Sequence, residues 1–240
     1  NVTDGLTLFR VIANMDEGNF ENNDEIWGYS VDNISPIVPD ELMAEHADND
    51  VNINWHYELE SDFQHHQVTS LDGITFTIEN SHAFELGAND NQEHWVNSID
   101  THGNISANSH SLMSKGLHSG ANLISFNVLP EDSSIANVLA SIEGVANGVI
   151  GEGVAANYMG GAWQGSLTYM SPLSGYWVKV NDADALLLAG MPTERDMVYS
   201  LHSGANLISY PFRYETVLAE AIPADAQASI NGIIDRKSVV

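Results

Sequence analysis

The sequence predicts a mainly β protein: an antiparallel sandwich, then a small β-rich module with one short helix, in tandem and with a partial copy at each end. Three observations carry that prediction. Short apolar–polar alternations bounded by Gly, Asn, Asp and Pro recur through the first half. A ten-residue segment returns nearly unchanged 84 positions later. One i, i+3, i+4, i+7 apolar stripe stands among the strand candidates of the second half.

Residues 1–32 read as the closing strands of a preceding domain. Phe9, Val11 and Ala13 have the period of one strand face, followed by a turn at Gly18-Asn19. The segment Phe9–Asn19 aligns with His94–Asn104 at an offset of 85, sharing Val, Gly and Asn. Residues 33–113 then read as a sandwich. Val51-Asn-Ile-Asn-Trp55, Ile74-Thr-Phe-Thr-Ile78 and the strand through His94, Val96 and Ser98 alternate. Pro36 and Pro39 lack amide donors and so suit a linker or an edge strand.

Residues 114–190 differ in kind. Ile135, Val138, Leu139 and Ile142 predict one short helix, with Asp132 or Ser133 as its cap. Strand candidates surround it at Ala121–Val128, Gly153–Met159, Trp163–Met170, Tyr176–Val180 and Ala185–Leu188. Residues 191–240 hold a truncated second copy: Leu117–Phe126 returns as Leu201–Tyr210 with nine of ten positions identical, and Asn147–Ile150 returns as Asn231–Ile234. Nothing equivalent to Trp163–Leu167 or Gly175–Val180 follows, and half a unit cannot bury its sheet. The chain therefore reads as part of a longer tandem protein.

Composition narrows the function classes. The 240 residues carry 33 Asp plus Glu against 7 Lys plus Arg, a formal charge of −26. Such a surface repels phosphate backbones and anionic headgroups, so nucleic acid and membrane insertion are not expected. The acids concentrate at the start: residues 1–113 hold 21 of them with Arg10 as the lone base, whereas 114–240 hold 12 with six bases. The absence of cysteine removes disulfides and thiolate chemistry. An acidic, Asn-rich, cysteine-free chain suits a secreted protein in salty water, such as one from a marine bacterium, where ions screen its self-repulsion over roughly 3 to 8 Å.

Order and spacing add a resemblance. Asp32-Asn-Ile-Ser-Pro36, the Trp55 strand, Glu60-Ser-Asp-Phe63 leading into His65-His66-Gln67-Val68, and Trp95–Asp100 followed by Gly103-Asn104 together resemble a bacterial fibronectin type III domain. The resemblance spans about 33–113, with the tail of another copy at 1–32. It implies that His66 and His94 occupy places usually held by inward Tyr. Residues 114–190 resemble the Gly-Trp-Asn-Leu-Ile-Ser … Gly-Tyr-Trp-Val-Lys-Val modules near the ends of large secreted bacterial proteins, with Ala121 at the place of the first Trp. That family carries no activity onto this chain.

Sites are sparse. No Gly-x-Ser-x-Gly, His-Glu-x-x-His or Walker pattern occurs. His65 and His66 are adjacent on a strand and point to opposite faces, so they do not chelate one ion together; His66 and His94 read as core residues bonded to each other or to backbone. Hard-cation chemistry points to calcium, with Asp16, Glu17, Asp48 and Asp50 as candidate ligands stiffening the junctions. Trp55 and Trp177 read as packing residues. Trp163, beside Gly160-Gly161, and Tyr169 are the candidate ligand-binding aromatics, since flat rings offer contact area at small entropic cost.

The resulting expectation is a non-enzymatic, extracellular or cell-surface spacer, adhesion or binding region of a larger protein, whose partners are neighbouring domains and surface polysaccharide. The alternative is an accessory region of a secreted hydrolase. A third consequence of the half-units is self-association by strand complementation.

Overall fold

Alternation is clearest where a strand has one core to face and water behind it. In the computed structural model, which describes residues 6–21, 26–29, 31–47, 50–87, 90–194, 196–210 and 216–234, strands dominate and every ladder is antiparallel.

The first four strands are β1 (Leu6–Phe9), β2 (Ile12–Met15), β3 (Gly18–Glu21) and β4 (Ile26–Tyr29). β2 pairs with β3 and β1 with β4, two ladders of one long hairpin turning at Asp16-Glu17. The single strand expected through Phe9, Val11 and Ala13 is instead broken at Arg10 and Val11. The registers differ across the break: Phe9 faces Ile26 and Ile12 faces Glu21, so a separation of three in sequence on one side answers to five on the other, and the two ladders share no single register.

Then come β5 (Asp40–Ala47), β6 (Asp50–His56), β7 (Phe63–Thr69), β8 (Ile74–Thr77), β9 (Ser81–Glu85), β10 (Asn91–Asp100) and β11 (Ser111–Leu117). The sheet β5-β6-β9 packs on the sheet β8-β7-β10-β11, giving the fibronectin III-like sandwich. Val51, Ile53 and Trp55 of β6 point inward, with Asn52, Asn54 and His56 outward, as the alternation requires. Leu42, Tyr57, Val68, Leu86, Val96 and Leu112 complete this core.

The following module contains β12 (Gly120–Ile124), β13 (Val128–Leu129), α1 (Ile135–Val138), a 3-10 turn at Ala140–Ile142, β14 (Ala146–Gly151), β15 (Val154–Met159), β16 (Ala162–Gly165), β17 (Tyr176–Val180) and β18 (Asp184–Pro192). Strands β12-β17-β14-β15-β16 form one sheet. The expected strand Trp163–Met170 ends early, at Gly165, where the chain has φ +154°. The helix cap is also displaced: Ser134 precedes α1 without a side-chain cap bond, while Asp132 Oδ1 accepts the Ser134 amide at 3.0 Å. Tyr176, Val178 and Val180 point into the core, so Trp177, expected as a packing residue, faces the opposite side and is only half-buried.

The two cores share a sheet. β11 pairs with β10 on one edge and with β18 on the other, so β13-β18-β11-β10-β7-β8 is a single six-stranded sheet running from module into sandwich. Period 2 then serves two masters. Leu112 of β11 and Ala185, Leu187 and Ala189 of β18 face the sandwich core, whereas Met113, Leu117, Leu186 and Leu188 face the module core. β11 is buried along its whole length. Each fully buried Leu is worth about 1.5–3 kcal/mol relative to exposure, so neither core is complete without strands of the other unit. His46 of β5 adds a cross-unit contact, its Nδ1 lying 3.1 Å from Asp184 Oδ1.

Downstream, α2 (Leu218–Ala221) and α3 (Ala224–Gln227) fall 84 positions after residues 134–137 and 140–143, the places of α1 and the 3-10 turn. Residues 204–208 and 230–234, which correspond to β12 and to most of β14, form no strand.

Candidate functional site

Gly160 and Gly161 have φ +63° and +81°, the left-handed pair of a two-residue hairpin turn, which side chains with a Cβ resist. That turn sets the β15–β16 register and places Tyr158 directly opposite Trp163. Their ring centroids lie 5.4 Å apart at 62°, an edge-to-face pair. Gly165 holds the far end of β16 tightly: a Cβ there would come within 2.1 Å of the Ala155 carbonyl oxygen.

Between this hairpin and α1 runs a groove of about 540 Å3, walled by Trp163, Tyr158, Glu143, Ser134, Thr168 and Leu167 among others. Trp163 is half-buried and packs partly against the module core, so its ring is fixed in place. The Tyr158 hydroxyl donates to Glu143 Oε1, and that carboxylate, with some burial, raises the phenol above its ordinary pKa. Tyr169 is 66% exposed. Its backbone bridges to Ser134 on the groove wall. Trp163 and Tyr169, separately expected as binding aromatics, thus fall on one region of the module, and Tyr158 and Glu143 join them. The partner Tyr158 was readable only from the Gly-Gly turn and its two-residue register.

Among the described residues, the calcium candidates Asp16, Glu17 and Asp50 form no cluster. Asp16 and Glu17 form the exposed turn of the first hairpin, Asp50 opens β6, and Asp48 lies outside the described residues. What the fold does gather is Asp32, Asp62, Asp100 and His102, whose ligand atoms lie within 4.8 Å of one another. Asp100 is buried, and its oxygens are occupied: Oδ1 accepts the amides of His102 and Asn104 at 2.8 and 2.9 Å, and Oδ2 accepts Asn104 Nδ2 at 2.7 Å. Burial alone would raise its pKa, but these donors outweigh it and hold the carboxyl below its ordinary value. His102 Nδ1 lies 3.4 Å from Asp32 Oδ2, and Asn104 Nδ2 also reaches the Asp32 carbonyl at 3.2 Å. The cluster ties the linker before the sandwich to the turn after β10. No sequence spacing announces it, because its members are scattered over 70 positions.

The core histidines stand apart from one another. His66 Nε2 meets Asn80 Oδ1 at 3.0 Å and its Nδ1 meets Ser98 Oγ at 3.2 Å, inside a box of Trp55, Tyr57 and Phe63. His94 stacks on Phe84 at 4.0 Å with His82 6.2 Å away, and its Nδ1 has no hydrogen-bond partner. The sequence expectation is that His66 and His94 bond each other or the backbone; His66 instead bonds the side chains of Asn80 and Ser98. His65 faces away from His66 and meets Phe76.

No protein-family model matches this sequence, and no curated protein matches it either. Among solved structures, it is similar to chitinase ChiA74 from Bacillus thuringiensis, with 12% identity over 67% of this chain and a TM-score of 0.32. The chain spans 28% of that chitinase's length. It is also similar to the central fibronectin-III array of RIM-binding protein, with 16% identity over 64% of this chain and 61% of that one at TM-score 0.27. The chicken CNTN1 FN1–FN3 domains give 12% identity over 76% and 75% at TM-score 0.27. The assignment of the sandwich rests on its own strand order and core, given above.

Proposed function

We propose that this chain is a non-catalytic, extracellular spacer and binding region of a larger multidomain bacterial protein, built from fibronectin III-like units and C-terminal-type modules. The observation that carries the reading is the shared sheet. Units joined through a mobile linker change their relative angle freely, whereas the β11–β18 ladder gives this pair one fixed geometry. A fixed joint is what a stalk needs to hold a distant element at constant reach. Among the described residues no helix is long and apolar enough to cross a membrane.

The test is to sequence the parent reading frame on both sides of these residues. Further repeats and a surface-anchoring segment are the expected finding. A neighbouring domain with a convergent catalytic site would instead make this an accessory region of that enzyme.

The second copy favours an additional reading, completion by another strand set. Its turn is already built: Asn206 Oδ1 accepts the His202 amide at 2.9 Å and its Nδ2 donates to the His202 carbonyl at 2.9 Å, as Asn122 does with His118 at 3.1 and 2.9 Å. Gly120 and Gly204 share the left-handed conformation, φ +104° and +107°. Yet Leu117 is 1% exposed and Leu201 48%, and Ile124 is 2% exposed and Ile208 46%. Core positions of the first copy are surface positions of the second. Strands of the β17 and β18 type, from the same protein or another chain, would cover them. Light scattering on this chain at high concentration, showing monomer alone, would remove the version in which a second copy of it does so.

A further inference from the structure

We propose that the groove between the β15–β16 hairpin and α1 binds the pyranose ring of a neutral glycan. The spacer reading gives this groove no task, and packing accounts for only part of Trp163, which stays half-exposed although its hairpin is held by three constrained glycines. A pyranose presents a flat C–H face and a rim of hydroxyls. The first matches an indole fixed in place by the core; the second matches the Glu143 carboxylate, the Tyr158 hydroxyl it already accepts from, and the hydroxyls of Ser134 and Thr168. The volume, about 540 Å3, falls in the range of small-molecule sites, roughly 300–1,000 Å3.

Charge selects within the class. Among the described residues no Lys or Arg lines the groove, its one acidic side chain is Glu143, and the chain as a whole carries −26. Uronate and sulfated glycans meet only repulsion there, which leaves neutral sugars. Tyr169, two-thirds exposed next to the groove wall, offers a second platform to a neighbouring residue of the same glycan.

The experiment is calorimetric titration of the full chain with cellohexaose and with chitohexaose, using polygalacturonate as the anionic comparison and tryptophan fluorescence as a second readout. Saturable binding of at least one neutral hexasaccharide is expected, with polygalacturonate silent. Trp163→Ala should weaken it at least tenfold. Because that variant loses core contact as well, Glu143→Ala, at an exposed position, is read in parallel; it should weaken binding several-fold at an unchanged melting temperature. Absence of saturable binding to both sugars at millimolar concentration overturns the proposal. So does binding that both variants leave intact, or equal binding of polygalacturonate. The spacer reading does not depend on these outcomes, since it is decided by the parent sequence.

Discussion

His94 is a basic group sealed in a hydrocarbon setting, and acid should find it. Its ring is stacked on Phe84, its Nδ1 has no acceptor, and His82 is the nearest group able to carry like charge. Burial first, and His82 second, lower its pKa from 6.5 to about 4. Above pH 6.5 both folded and unfolded chains hold this imidazole neutral, and its contribution to pH dependence is nil. As pH falls below 6.5 the unfolded chain takes up a proton that the folded chain refuses, so stability drops, and the loss levels off once pH passes below about 4. Two and a half pKa units correspond to a limiting loss of about 3.4 kcal/mol; it reaches about 2 kcal/mol at pH 5 and about 3 kcal/mol at pH 4. The perturbation is His94→Phe, which keeps an aromatic ring beside Phe84 and removes the proton site. Urea unfolding of both proteins at pH 7, 5 and 4 yields a double difference in which the carboxylates, His66 and His82 cancel to first order. The variant should be less acid-sensitive than the parent by about 3 kcal/mol at pH 4. A double difference under about 1 kcal/mol would show that water or a rearranged neighbour solvates the imidazolium, refuting the argument from burial.

Other expectations follow from the same geometry. Leu112→Ala and Leu188→Ala empty opposite faces of the shared sheet; each should cost about 2–5 kcal/mol, and urea unfolding followed by circular dichroism should show one transition shifting, not one of two. Gly165→Ala would drive a Cβ against the Ala155 carbonyl at a left-handed φ, so a loss of about 2 kcal/mol or more is expected by the same assay. Because Asp100 is already saturated by His102 and Asn104, the melting temperature should be the same in chelator and in millimolar calcium. A rise of several degrees would assign a cation to the Asp32, Asp62, Asp100 and His102 cluster.

Much of this architecture was legible in the sequence, and the exceptions have physical causes. β6 and β17 alternate because each has a core on one side and solvent or a thinner layer on the other, and β17 falls on the expected Tyr176–Val180. β11 and β18 hid in plain view. With cores on both faces, Ala185–Leu188 loses the polar half of the pattern that marks a strand and was readable only as the first part of a nine-residue strand, while Ser111–Leu117 buries Ser111, Ser114 and Lys115 among its apolar residues and so breaks the strict alternation. The joint between the units was invisible for the same reason. Repetition was legible because a nine-in-ten match needs no structural theory, and Asn122 and Asn206 make the same local turn bond. The acidic cluster did not read at all, since Asp32, Asp62 and Asp100 meet only after the sandwich closes. Trp163 read correctly as an aromatic beside a Gly-Gly turn, but its setting with Tyr158 and Glu143 depends on how the hairpin lies over the 3-10 turn and α1.

The shared sheet has a consequence for inheritance. Domains strung on linkers are exchanged, lost and reordered as separate cassettes, because a recombination break between them leaves two intact cores. Here any break between Ser111 and Pro192 takes strands from both neighbours at once, since Leu112 belongs to one core and Met113 to the other. Viable exchanges are confined to the flanks, before the sandwich begins and after β18 ends. Sandwich and module should therefore travel together through related proteins as a single cassette of about 160 residues, with repeats gained and lost around it but not inside it.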